Sequence, residues 1–244
     1  MKKIILIIAV CLSAVGVFAQ SAAQFKNDGN TALKSKDYKS ALANYEKFLG
    51  AEDTVDDPAL VFNSGYCAIK IKDYAKAELY FGQSIENNYK KSTAYYYKSI
   101  AQKNQKKSEE MVSTLEEGIE ACPTKKSKLV KALAKHYLIE GQKAQKANEF
   151  EAAQTLYQKA ATDKSKYQAD ALFSLGTLYY NQGAKIMQAA TPVANTEPEK
   201  YKEESVKANS FYQKAIVELN KAKTIAPSRE DIASTISTVK GLLK

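Results

Sequence analysis

Residues 58–91, PALVFNSGYCAIKIKDYAKAELYFGQSIENNYKK, decide the fold. Val61, Gly65 and Ala68 recur at three- and four-residue spacing, which places them on one face of a helix. After the tight turn at Lys72–Asp73 the period restarts with Tyr74, Ala77, Phe81 and Ser84, a second amphipathic helix. Gly65 and Ala77 are small where two helix backbones must approach, and Phe81 supplies the bulk that fills the gap. Neither short helix can bury its apolar stripe alone, so the hairpin requires copies of itself on both sides.

The copies are present. Thirty-six residues upstream, Gly29, Ala32, Asp37-Tyr38, Ala41 and Tyr45 stand where Gly65, Ala68, Asp73-Tyr74, Ala77 and Phe81 stand later. Residues 92–123 form a degenerate third copy, with Leu115 in the place of Phe81 and Pro123 at its close, but Ser99, Gln102 and Met111 at small-residue positions. A fourth carries Tyr137, Gly141, Ala144, Phe150, Ala153, Tyr157 and Ala160, and its first helix, starting near Ser127, is a turn or two longer than average. The fifth is interrupted: Leu172, Gly176 and Tyr179 make its first helix, and Tyr212, Ala215, Leu219, Ala222 and Pro227 its second, with roughly 27 extra residues between. Within them Ile186, Met187, Ala190, Tyr201, Val206 and Phe211 keep a helical period, and only TPVANTEP (191–198) reads as a turn. Two over-long helices are therefore expected, extending the hairpin by about 15–18 Å. Ser228 is the expected N-cap of a last helix, whose stripe of Ile232, Ile236, Val239 and Leu243 suits a cap on the final repeat.

The chain resembles the tetratricopeptide-repeat family, whose unit is a helix–turn–helix of this length with small residues at these places and an aromatic where Phe81 stands. The resemblance implies an all-α, right-handed α-solenoid of about five hairpins (about 22–55, 58–91, 92–125, 127–165 and 168–227, the last with an inserted hairpin at 183–211) plus a capping helix at 228–244. Phe48, where the family usually has alanine, and the long acidic linker 50–57 depart from the pattern. In the family the first helices line a concave groove. Carried over, that surface comprises Lys26 and Asn30 in repeat one, Phe62, Asn63, Tyr66, Ile69 and Lys70 in repeat two, Tyr96 and Ile100 in repeat three, Leu138 in repeat four, and Phe173 and Tyr180 in repeat five. Lys26, Asn30 and Asn63 also occupy positions of the carboxylate clamp of chaperone-binding members, although Thr93 and Tyr97 replace the clamp's basic pair.

Met1–Ala19, MKKIILIIAVCLSAVGVFA, reads as a cleaved secretory signal peptide: two lysines, an apolar run, and Val17-Phe18-Ala19 before Gln20. Val10 before Cys11 argues against lipidation, because a small residue is needed there. Loss of Lys2 and Lys3 lowers the formal net charge from +9 to +7, and the remaining basic residues are lysines except Arg229. The planar guanidinium fork that reads phosphates and base edges is almost absent, so nucleic acid is not an expected partner. Cys67 and Cys122 read as two small hydrophobes rather than a bridge. His136, the single histidine, has no thiol or acid beside it in sequence to build a metal site or a nucleophile–base pair. A non-enzymatic scaffold with no cofactor, binding other envelope proteins or peptide segments of them in the periplasm, is the expectation. The two rivals are a glycan-binding protein using Phe62, Tyr66, Tyr96 and Tyr180 as stacking platforms, and a structural part self-associating through 183–211.

Overall fold

The structure is a computed structural model describing residues 21–51, 56–162 and 164–243; the signal-peptide reading of residues 1–19 lies outside them. Among the described residues the chain runs through α1 (Ala22–Lys34), α2 (Tyr38–Leu49), α3 (Pro58–Lys70), α4 (Tyr74–Glu86), α5 (Lys91–Asn104), α6 (Ser108–Ala121), α7 (Ser127–Lys146), α8 (Phe150–Thr162), α9 (Gln168–Ala190), α10 (Pro198–Ile225) and α11 (Glu230–Leu242), with a 3-10 turn at Thr191–Val193. Sequential helices pair as antiparallel hairpins that stack into an all-α solenoid.

The turns inside the first four hairpins share one construction. Two residues past each first helix stands a residue with positive φ: Lys36 (63°), Lys72 (65°), Lys106 (64°) and Asn148 (61°). The amide after each reaches back five residues, as in Asp37 N to Ala32 O and Asp73 N to Ala68 O, both 2.9 Å. This Schellman closure satisfies carbonyls that the helix end would leave bare. In the first two hairpins the same aspartate then caps the next helix, Asp37 accepting from Ser40 N and Asp73 from Lys76 N, each at 3.1 Å. A three-residue turn therefore closes one helix and opens another, which fixes the hairpin tightly.

The small residue of one helix faces the bulky residue of its mate. Gly65 lies under the fully buried Phe81, Gly29 under Tyr45 and Gly141 under Tyr157. In repeat five Gly176 packs on Leu219, and seven residues further along α9 Gly183 packs on Tyr212, seven residues earlier on α10. The insertion thus continues the repeat's own packing outward. Its base rests on repeat four, where the Phe211 ring meets Phe150 at 5.8 Å and Lys185 donates to Asn148 Oδ1 at 2.9 Å. Further out Ala190 is buried, whereas Val206 is 65% exposed.

Repeat three is where the pattern loosens. Gln102, at a position that is alanine in repeats one, two and four, is buried and donates to Glu78 of α4, as do Gln105 and Lys107. Within this repeat the apolar core divides: Ala94 and Ala101 join that of repeats one and two, and Tyr95, Met111 and Leu115 that of repeats four, five and the cap. At the far end Ile232 and Val239 of α11 are fully buried against repeat five, the covering role read from sequence. The cap begins later than the sequence suggested: Arg229, not Ser228, precedes the helix, and no side chain caps it. Arg229 is held there by its ion pairs to Asp170 and Asp231.

Candidate partner-binding groove

The residues assigned from sequence to an inner surface divide into three groups. The clamp positions are engaged within the chain. Lys26 Nζ donates to Asp57 at 2.7 Å, and the Tyr45 hydroxyl donates to Asn30 Oδ1 at 3.0 Å with the Asn63 amide beside it. Burial pushes Tyr45 up to about 12, so this hydroxyl remains a donor at neutral pH. A clamp would have to break these contacts first. The aromatic group closes on itself. Phe62, expected on the surface, is a core residue at 6% exposure, edge-on to Phe81, Tyr89 and Tyr97. Half-buried Tyr66 bridges Tyr38 and Tyr97 at 6.1 Å, and Lys70 sits 5.2 Å above its ring. Leu138 is likewise core, at 7% exposure. For Phe62 and Tyr66 the reason is that repeat two packs ring on ring against repeat three, so ring contacts take up the aromatics that simple repeat positions assign to the groove, whereas Leu138 joins the apolar core of repeats four and five.

Phe173 is covered in another way. The Arg229 guanidinium stacks over its ring at 5.2 Å while pairing with Asp170, so the loop before the cap closes the end of the inner face. Tyr180 is half-buried beside Tyr212 at 6.3 Å, and Ile69 is half-buried in the repeat-one/two core.

Tyr96 and Ile100 remain, and around them the molecule is open. They form one wall of a groove of about 560 Å³ whose other wall is α7, contributing Ala132, His136 and Ile139, with Tyr167 at one end and Met111 and Leu115 beneath. The rim is lysine: Lys103 from α5, Lys128, Lys131, Lys135 and Lys143 from α7, and Lys166. Its single carboxylate, Glu140, is taken by Lys143 at 2.7 Å. Among the described residues the other five lysines make no ion pair, and Lys128 lies 6.0 Å over the Tyr96 ring. Burial pushes His136 below the ordinary imidazole value; Glu140 opposes this, and Lys103 and Lys143 reinforce it.

Sequence reasoning found Tyr96 and Ile100 but missed most of the α7 wall. Lys128, Lys131 and Ala132 lie on the extra N-terminal turns of this 20-residue helix, outside the positions that repeat alignment carries over. The signal was present in the recognised over-length of α7 and in its run of lysines at three- and four-residue spacing.

Elsewhere Cys67 is buried and Cys122 half-buried, and both are free; burial raises the Cys67 thiol to about 11. Among the described residues no helix is long and apolar enough to cross a membrane.

The family model for the tetratricopeptide repeat matches residues 28–89 and 140–185. A TPR-repeats protein of known structure from Bacteroides fragilis is 39% identical, covering 91% of this chain and 99% of its own, with a TM-score of 0.82. The chain belongs to the tetratricopeptide-repeat family. More distant structures include MamA (17% identity; 84% of this chain and 94% of that one; TM-score 0.43) and the TPR protein YrrB (16%; 90% and 93%; 0.42). The two matched stretches of this TPR protein leave out residues 90–139, the degenerate third repeat and most of α7. Most of the groove lies in that unmatched span.

Proposed function

We propose that this TPR protein is a non-enzymatic scaffold of the bacterial cell envelope that holds a partner protein, or a peptide segment of one, in the groove between α5 and α7. TPR folds serve generally as protein-interaction scaffolds. The observation that carries the reading is the pair of walls bearing Tyr96, Ile100 and Ile139, apolar surface that the stacking of the hairpins leaves open. Exposed apolar surface rimmed by charge suits a binding site better than a packing surface. The envelope assignment rests on residues 1–19, whose basic start, apolar run and Val-Phe-Ala ending match an export signal cleaved after Ala19.

The test is crosslinking in intact cells followed by pull-down and mass-spectrometric identification, comparing wild type with Tyr96→Ala/Tyr167→Ala. Far-UV circular dichroism checks that the variant stays helical. One envelope protein captured by wild type and lost in the folded variant supports the proposal; equal capture by both rejects the groove. Fractionation with N-terminal sequencing addresses location, a periplasmic chain starting at Gln20 being the expected result and a cytoplasmic chain retaining Met1 the opposing one.

A second reading, saccharide binding, has one observation in its favour. A cleft of about 390 Å³ at the base of the long hairpin gathers Gln145, Asn148, Asn181, Gln182 and Gln188 beside Phe150. Side-chain amides offer the donors and acceptors that sugar hydroxyls need. Gln145 and Asn148 are already engaged by Tyr157 and Lys185. The remaining amides would carry the contact, and glycan-array retention lost in Asn181→Ala/Gln182→Ala would establish it.

A further inference from the structure

We propose that the α5–α7 groove is a receptor for an acidic peptide segment bearing apolar anchors; this rests on the protein-binding reading above and specifies the occupant's chemistry. Lys128, Lys131 and Lys135 stand at three- and four-residue spacing on one face of α7, with Lys103 opposite on α5 and Lys166 at the end. Like charges at these spacings repel and cost the free helix stability. A carboxylate-rich ligand relieves that repulsion, and the low-dielectric groove walls strengthen its attraction over that of an open surface.

The apolar walls select among polyanions. A phosphate chain would neutralise the rim but leave Tyr96, Ile100 and Ile139 uncovered, and a flat lipid surface cannot enter a groove between two helices. A peptide meets both requirements, with acids toward the lysines and apolar side chains against the walls. From Lys128 to Lys143, α7 runs about 22 Å at 1.5 Å per residue. An extended segment of about seven residues covers that length.

His136 supplies a built-in reporter, because it is the chain's single histidine and lines the groove. The charged groups around it are Glu140, Lys135 and Lys143 on its own helix, Lys128 and Lys131 further along it, Lys103 on α5 and Lys166 before α9. Carboxylates brought into this cationic setting stabilise the imidazolium, so occupancy raises the histidine's pKa.

The experiment titrates the protein, by calorimetry and by proton NMR of His136, with three probes: a ten-residue peptide alternating Asp/Glu with Leu/Phe, its Asn/Gln isostere, and phosphatidylglycerol vesicles. The acidic peptide is expected to bind saturably, about tenfold or more tighter than the isostere, more weakly as salt rises, and with an upward shift of the His136 titration. Lys131→Ser/Lys135→Ser should weaken it about tenfold, each exposed charge pair being worth a few-fold at most, while the remote pair Lys39→Ser/Lys202→Ser leaves it unchanged. Equal binding of the isostere, binding of vesicles but not peptide, or no binding of any probe overturns the inference. The two proposals fail separately. A partner captured through Tyr96 and Tyr167 whose bound segment lacks acids sinks this one and leaves the scaffold standing.

Discussion

The packing of glycine under an aromatic ring makes a quantitative prediction across three sites. A Cβ added at Gly141 would stand 2.7 Å from two ring carbons of Tyr157, a residue 1% exposed and held by its hydroxyl to Gln145 at 2.7 Å. The ring cannot turn aside without losing that bond or pressing on the next repeat. Overpacking of this kind costs about 1–3 kcal/mol, against about 1 kcal/mol gained by replacing glycine with alanine inside a helix. Gly141→Ala is therefore expected to be neutral to destabilising by about 2 kcal/mol. At Gly82, within α4, a Cβ meets nothing within 4 Å, so Gly82→Ala should keep its gain of about 1 kcal/mol. Gly65 lies between, with Phe81 ring carbons at 3.1 Å, and a shift of a few tenths of an ångström accommodates the methyl. Urea midpoints followed by circular dichroism should rank Gly82→Ala above wild type, Gly141→Ala at or below it, and Gly65→Ala between the two variants. A midpoint for Gly141→Ala as high as that for Gly82→Ala would refute the argument, because the steric term would then be absent.

Other consequences are as direct. Lys72→Gly should stabilise by about 0.5–1 kcal/mol, since glycine adopts the left-handed conformation of this turn without a Cβ penalty; a lowered urea midpoint would count against the turn's geometry. Burial opposes ionisation of Asp57, yet the Lys26 ammonium and the Leu60 amide hold its carboxyl below the ordinary value. Its contribution is present above about pH 3.9, the unfolded value, and is lost as pH falls through the depressed folded value, so Asp57→Asn should flatten the loss of stability below about pH 4. Parallel midpoint-against-pH curves for the two proteins would disprove that linkage. Glu78→Ala strands the buried Gln102 with Gln105 and Lys107, at an expected cost of about 1–3 kcal/mol; an unchanged midpoint would mean these contacts contribute nothing. Ile232→Ala should cost about 2–4 kcal/mol and speed amide exchange in α10 before α3, and uniform exchange along the chain would argue against α11 as a cap.

The repeat was legible in sequence because its determinants are local. Gly29, Gly65 and Gly141 recur at fixed distance from Tyr45, Phe81 and Tyr157, and the Asp-Tyr pair after each of the first two turns marks where one helix stops and another starts. The long hairpin was legible for the same reason: Ile186, Met187, Tyr201 and Phe211 keep the helical period, and 191–198 break it. The site was legible only in part. Phe62 and Leu138 were placed on a surface by repeat position, and contacts between repeats bury them. Repeat position assigns Lys26 and Asn30 to the groove, but Asp57 and Tyr45, distant in sequence, engage them.

By itself the sequence determined that the chain is a stack of helical hairpins, which repeat is interrupted, and that a last helix covers the end. Those features follow from periodicity and turn chemistry within some forty residues. Only the tertiary structure decided which inner-face residues stay open. Ring packing between repeats two and three and the Arg229 stack on Phe173 close two stretches of that face. The extra turns of α7 bring their lysines opposite Tyr96 and leave the third open. Exposure is a property of pairs of elements, and a side chain's own spacing carries no record of what will be laid across it.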